Sequence, residues 1–142
     1  MFFKAFFNKN ISSYDIGKSS EDYVKSYLIS NFYNVIATRF KDTNKKGSGL
    51  GEIDIIAKKG NTIIFIEVKA RNNLENIFYS ITQNQQRRIM NSAIMFISKH
   101  SEYKSYDIRF DAIFVLIQGK DKKITHIKNA FDASDVNSMI GL

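Results

Sequence analysis

The sequence predicts one α/β domain built on a mixed β-sheet. Three observations carry that expectation. Helical and strand periodicities follow one another in the order helix, three strands, helix, two strands. Two isoleucine-rich runs, 52–58 and 62–70, flank the turn Lys59-Gly60-Asn61 and are expected to pair antiparallel. The length of 142 residues suits a single domain, and no repeat or low-complexity linker divides it.

The elements follow in order. Residues 1–16 are expected as a tail, with Phe2, Phe3, Phe6 and Phe7 among basic residues. That stretch is too short and interrupted for a signal-peptide core. Packing on the domain is its simple account, and contact with a partner or membrane surface is the alternative. Ser19 or Ser20 is expected to cap a helix over 17–31, placing Glu21 and Asp22 in its first turn. Tyr23, Val24, Tyr27, Leu28 and Phe32 recur there at helical spacing. Residues 35–40 read as a strand rich in β-formers, and 41–50 as a polar basic loop with Gly47 and Gly49. The run 62–70 is almost continuously apolar before its charged end, as a buried central strand would be. After a loop over 71–75, Thr82 is expected to cap a helix over 83–99, with Ile89, Ala93, Phe96 and Ile97 inward. A strand over 106–117, a turn over 119–122 and a short strand over 123–127 complete the domain, 17–132. Residues 133–142 are expected as a second tail.

Composition narrows the chemistry. Charged residues make up 25% and hydrophobic ones 44%, a globular balance. With no cysteine, disulfides and thiolate metal sites are excluded. Zinc is disfavoured, because His100 and His126 lie far apart in sequence and are expected at the surface without partners. Twenty-one basic residues against 14 acidic ones give +7, which favours a polyanionic partner such as nucleic acid. A basic proteome or simple solubility explains that charge equally well. No run is long enough to span a bilayer, and without an export signal the expected location is the cytoplasm.

The chemistry concentrates in Asp54, Glu67 and Lys69, spaced D-x12-E-x-K across the two paired strands. Side chains alternate along a strand, so Glu52, Asp54 and Ile56 are expected on one face and Ile53 and Ile55 on the other. Likewise Phe65, Glu67 and Lys69 share a face, opposite Ile64, Ile66 and Val68. Mg²⁺ takes hard oxygen ligands, which Asp54, Glu67 and the Val68 carbonyl can supply. Such a cation activates water and polarises a phosphoryl oxygen. Lys69 can orient or deprotonate that water, or stabilise charge developing on phosphate. The structural alternative is a solvated charged hairpin face with a Glu67–Lys69 ion pair. Glu52 is a second ligand or a solvated neighbour.

These residues carry a resemblance. Gly51-Glu52-Ile53-Asp54-Ile55-Ile56 and Phe65-Ile66-Glu67-Val68-Lys69-Ala70-Arg71 resemble the GEIDLI and FVEVK-x-R signatures of the YraN family of small bacterial proteins. Gly17 with Glu21, Ser80-Ile81-Thr82 with Gln86, Arg87 and Arg88, Arg109-Phe110-Asp111-Ala112-Ile113, and Ile127 to Phe131 are similar to further family motifs in the same order. That family falls within the restriction-endonuclease-like PD-(D/E)xK superfamily and looks similar to Holliday-junction resolvases. The resemblance implies a nuclease-like core with the order α-β-β-β-α-β-β. It implies an endonuclease acting on DNA, branched or repair intermediates included, with Mg²⁺ or Mn²⁺ as cofactor. It marks Asp54, Glu67 and Lys69 as catalytic. It also marks Glu21 as a first-helix acid reaching the metal through water; without the resemblance, Glu21 reads as an acid favouring the helix dipole. Lys45, Lys46, Arg71, Gln85, Arg87 and Arg88 are the expected nucleic-acid contacts, although a solvated helix face accounts for Arg87 and Arg88 equally well. Gln85 stands where the family often has lysine, and the loop 41–50 is longer than usual. A homodimer is expected only by analogy with resolvases.

Asp111, on the same face as Arg109, reads as a structural ion pair rather than a metal contact. The alternative function is a nucleic-acid-binding module on a nuclease-like scaffold without turnover. A weaker option is an adapter acting through the phenylalanine-rich start.

Overall fold

The computed structural model describes residues 13–41, 51–77 and 80–132, with side chains from residue 19 onward. The expectations for the two tails, for Lys45 and Lys46, and for most of the loop 41–50 lie outside the described residues. Helix α1 is Ser13–Ser30 and helix α2 is Gln83–Lys99. The strands are β1 (Asn34–Phe40), β2 (Ile53–Lys59), β3 (Thr62–Arg71), β4 (Asp107–Gln118) and β5 (Asp121–Phe131).

They form one five-stranded sheet in the order β1-β2-β3-β4-β5. The pair β3–β4 is parallel and the other three pairs are antiparallel, giving the mixed α/β fold expected. The apolar run of β3 is explained by its place at the centre. Ile63 and Phe65 pack under α2 with Ile89, Ala93, Phe96 and Ile97. Ile64 and Ile66 pack under α1 with Val24 and Leu28. One strand therefore feeds two cores, and the helices cover opposite faces.

Several expectations need correction. Helix α1 begins at Ser13, runs through Gly17, and so places Glu21 well inside the helix. Ser20 is buried rather than capping. The dipole account of Glu21 falls with that first turn. Strand β5 continues to Phe131, well past residue 127. A register shift between Phe110 and Ala112 and a left-handed Asn129, with φ of 53°, let it continue beside β4. The alternation expected of β2 also fails: Ile53 and Ile56 join the core under α2, whereas Ile55 joins the one under α1. The irregularity falls on Asp54.

Neither histidine is an unpartnered surface residue. His100 closes α2, its Nδ1 lying 2.9 Å from the Phe96 carbonyl oxygen and its ring stacking on Phe96. His126 is half-buried, with Nε2 2.7 Å from Asp111 Oδ2 and Nδ1 3.0 Å from the Tyr27 hydroxyl. Asp111 is fully buried and accepts two bonds from Arg109, at 2.8 and 2.9 Å, and one from the Asn129 N–H at 3.2 Å. The ion pair expected of Arg109 is present, and its second role is to tie β4 and β5 to α1.

Candidate active site

The site forms where β2 and β3 part. Their ladder runs from Lys59↔Thr62 to Ile55↔Ile66 and stops there. One step further, the Val68 N–H donates to Asp54 Oδ2 at 2.8 Å instead of to a neighbouring strand carbonyl. The Asp54 carboxyl thus replaces a ladder partner and satisfies a donor that would otherwise be orphaned. On the other side of β2, Arg39 lies between the paired positions Thr38↔Ile55 and Phe40↔Ile53 and has a left-handed φ of 53°. Distorted backbone on β1 and a split ladder at β3 together set Asp54 apart from the regular sheet.

Acids reach this gap from both faces. Carboxylate oxygens of Glu21, Glu52 and Asp54 lie within 4.8 Å of one another. Glu21 arrives from α1 and is held by Arg39, whose Nε donates to its Oε2 at 2.8 Å. Glu67 arrives from the α2 side, close enough for its charge to raise the Asp54 pKa. Lys69 Nζ stands 3.4 Å from Glu67 Oε1. The three residues of the D-x12-E-x-K pattern therefore meet, with Asp54 joining Glu67 to the other two acids.

Their electrostatics follow from that crowding. Burial is the main cause pushing the Asp54 carboxyl up to about 8, and the neighbouring Glu67 adds to it. Burial also raises Glu67, with Lys69 offsetting part of the effect. Both shifts run in the same direction: burial and mutual repulsion disfavour carrying two charges on Asp54 and Glu67 together.

The α2 side of the gap opens into a cavity of about 200 Å³ lined by Gly51, Glu52, Glu67, Gln85, Arg88 and Ile89. Of the expected nucleic-acid contacts, Gln85 and Arg88 therefore face the acids. Gln85 has a second role: its Oε1 accepts the Thr82 N–H at 3.0 Å, and its own N–H donates to Thr82 Oγ1, forming the α2 capping box. Arg87 is exposed and holds Asn84 Oδ1 at 3.4 Å. Arg71 ends β3 and donates to the Ala70 carbonyl at 2.7 Å.

Sequence reasoning missed Arg39, and no periodicity marks it. It also missed the contact of Gly51 with Ser92. A serine in the apolar stripe between Ile89 and Phe96 is the one signal that could have exposed it.

Fold and gap together define the class: a three-layer α/β protein with the nuclease-like order α-β-β-β-α-β-β and an acid cluster where two central strands part. Residues 20–115 match the model of Uncharacterised protein family UPF0102, and the chain belongs to that family, the YraN family its motifs resemble. A UPF0102 protein of Nitrobacter winogradskyi is 35% identical over 124 residues, covering 87% of this chain and 98% of the relative. One from Rhodopseudomonas palustris strain BisA53 is 36% identical over 126 residues, covering 89% of this chain and 90% of its own. The solved structure of SSO0001 overlaps 96% of this chain and 62% of its own, at 13% identity and a TM-score of 0.40, too slight a likeness to bear on fold or function.

Proposed function

We propose that this protein is a metal-dependent endonuclease that hydrolyses phosphodiester bonds in nucleic acid, with DNA as the substrate. The observation that carries the reading is the convergence of Glu21, Glu52, Asp54 and Glu67 on the gap beside Lys69. Sequence-distant acids gathered in a partly buried gap repel one another, and burial makes the repulsion costly.

The donor set fits a hard divalent cation. Every candidate ligand is oxygen, which suits Mg²⁺ or Mn²⁺. Asp54, Glu21, Glu52 and Glu67 would hold it, with the Val68 carbonyl as the proposed further oxygen. When bound, the cation supplies Lewis-acid polarisation and a more acidic water. The protein's own groups do the rest. The Val68 N–H fixes the Asp54 carboxyl. Lys69, tethered to Glu67, orients the attacking water or stabilises the phosphate charge. Arg88 and Gln85 sit across the cavity, where they can bind phosphate oxygens. In hydrolysis, water adds to phosphorus, one P–O ester bond breaks, and the departing oxygen takes up a proton.

The test is cleavage of single-stranded, duplex and four-way DNA during titration with Mg²⁺ and Mn²⁺. Cleavage should require the cation and fall at least about 100-fold in Asp54→Asn or Glu67→Gln, a loss typical of removing one group that stabilises a transition state. Equal cleavage by parent and both variants would overturn the reading.

The alternative is nucleic-acid binding on the same scaffold without turnover, carried by the net charge of +7 and by Arg88 beside the cavity. That reading requires DNA binding to be indifferent to Mg²⁺ and cleavage to be absent across the panel.

A further inference from the structure

The sheet itself does not hold Glu52. Strand β2 begins at Ile53, its pairing with β1 ends at Phe40↔Ile53, and its pairing with β3 ends at Ile55↔Ile66. Yet the Glu52 carboxylate must meet those of Glu21 and Asp54 within a few ångströms. Its neighbour Gly51 supplies an anchor. The Gly51 N–H donates to the Arg88 carbonyl oxygen at 3.2 Å, and the Ser92 hydroxyl donates to the Gly51 carbonyl. Both main-chain polar groups of Gly51 are thus committed to the middle of α2.

The form of this contact is unusual for a helix interior. A serine within a helix commonly turns its hydroxyl back to the carbonyl four residues earlier. For Ser92 that carbonyl belongs to Arg88. Here Gly51 stands between them, giving its N–H to the Arg88 carbonyl and its own carbonyl to the hydroxyl. Ser92 is fully buried, so its hydroxyl has no solvent alternative. The approach is tight: a Cβ on Gly51 would lie 3.1 Å from Arg88 Cβ, so the helix or the chain must give by a few tenths of an ångström, and 3.5 Å from the Arg88 carbonyl carbon. Glycine is favoured here by the closeness of the helix rather than by backbone conformation, since its φ is not in the left-handed region.

We propose that Gly51 and Ser92 form a positioning clasp that sets Glu52 in the cation-binding cluster and fixes its distance from Arg88. Resting on the metal-dependent reading above, the clasp adds Ser92 and Gly51 as positioning residues that act through Glu52. Gly51, Glu52 and Arg88 line one cavity, so one contact sets the spacing between a ligand acid and a phosphate-facing cation.

The test uses Mn²⁺ binding to the full chain, measured by calorimetry, with thermal unfolding recorded in parallel. Ser92→Ala removes a single oxygen from a helix interior and keeps a strong helix former. It should weaken Mn²⁺ binding about tenfold, the low end of what loss of a residue supporting a metal ligand costs. Gly51→Ala, the second variant, should do the same by shifting the chain a few tenths of an ångström from Arg88 and loosening both clasp bonds. The decisive readout is coupling: in a Glu52→Gln background, Ser92→Ala should have no further effect on Mn²⁺, whatever it does to unfolding temperature. Unchanged Mn²⁺ affinity in both clasp variants overturns the clasp and leaves the nuclease reading standing. An equal loss with and without Glu52 also overturns it, because the effect would not pass through that acid. A parent protein that neither binds Mn²⁺ nor cleaves DNA removes the metal-dependent reading and the clasp with it.

Discussion

Asp54 is asked to do two things that conflict in the absence of a cation. It accepts a main-chain hydrogen bond from Val68, which favours its charged form, and it is buried beside Glu67, which opposes that form. Burial and repulsion win, and the carboxyl is pushed up to about 8. Its folded pKa exceeds the unfolded value, so its linked stability is present at low pH and is lost as pH rises from about 4 through about 8. The metal-free protein should become easier to unfold by urea over that window, and Asp54→Asn should flatten the trend. Mn²⁺ binding at pH 7 should release a proton, read as a dependence of the calorimetric heat on buffer ionisation enthalpy.

Asp111 shows the opposite balance. Burial works to raise its pKa, but hydrogen bonds from His126, Arg109 and the Asn129 N–H outweigh it and hold the carboxyl below its usual range. That stabilisation is present above the unfolded pKa and is lost as pH falls below about 4 through the folded value. Asp111→Ala leaves Arg109 and His126 facing a vacancy and should cost about 3–5 kcal/mol in denaturant unfolding, the cost of breaking a buried pair. The acid limb of its stability curve should also be shallower than the parent's.

At the scale of elements, helix α1 ends in a way that conflicts with its sequence. The Tyr33 N–H bonds the Leu28 carbonyl at 2.9 Å and the Phe32 N–H bonds the Ile29 carbonyl at 3.1 Å, the bonding of a Schellman cap. The residue between helix and strand in such a cap is normally glycine, but here it is Phe32, at φ of 66° and 88% exposed. A left-handed conformation costs a side-chain-bearing residue about 1–2 kcal/mol, and an exposed ring recovers little by burial. Phe32→Gly should therefore raise stability by about 1 kcal/mol in urea unfolding. In the sequence, Phe32 looked like one more apolar position of the helix. Its spacing was helical, and spacing says nothing of a chain that has already turned. The same limit explains Glu21. Ser19 and Ser20 have the chemistry of a cap, but they lie within a helix whose first residue is Ser13. By contrast, Thr82 was legible because cap and partner, Thr82 and Gln85, lie within one turn.

At the scale of the molecule, the two edges of the sheet are interrupted. β1 carries a register shift between Val35 and Ala37 and the left-handed Arg39; β5 carries the left-handed Asn129 and an exposed Lys128. Such features discourage one sheet from extending into another, so a dimer of this chain would pair through another surface. The net charge of +7 acts over the whole molecule and favours a polyanion. DNA binding should weaken steeply with salt, and neutralising Arg88 by Arg88→Gln should lower the log–log slope by about one, one phosphate contact's worth. Filter binding or anisotropy across 50–200 mM salt measures it, and an unchanged slope would remove Arg88 from the phosphate contacts.

The sequence by itself determined the hairpin and the central place of β3, and it singled out Asp54, Glu67 and Lys69 as the candidate site. Each depends on alternation, a tight turn or a short motif, all encoded within a few neighbouring residues. Only the tertiary structure decided that β2 and β3 part after Ile55↔Ile66, that Glu21 comes in from α1 on Arg39, and that Gly51 lies against α2. Those contacts join segments remote along the chain. Their geometry is set by two cores packing on opposite faces of one strand, and no local period carries that information.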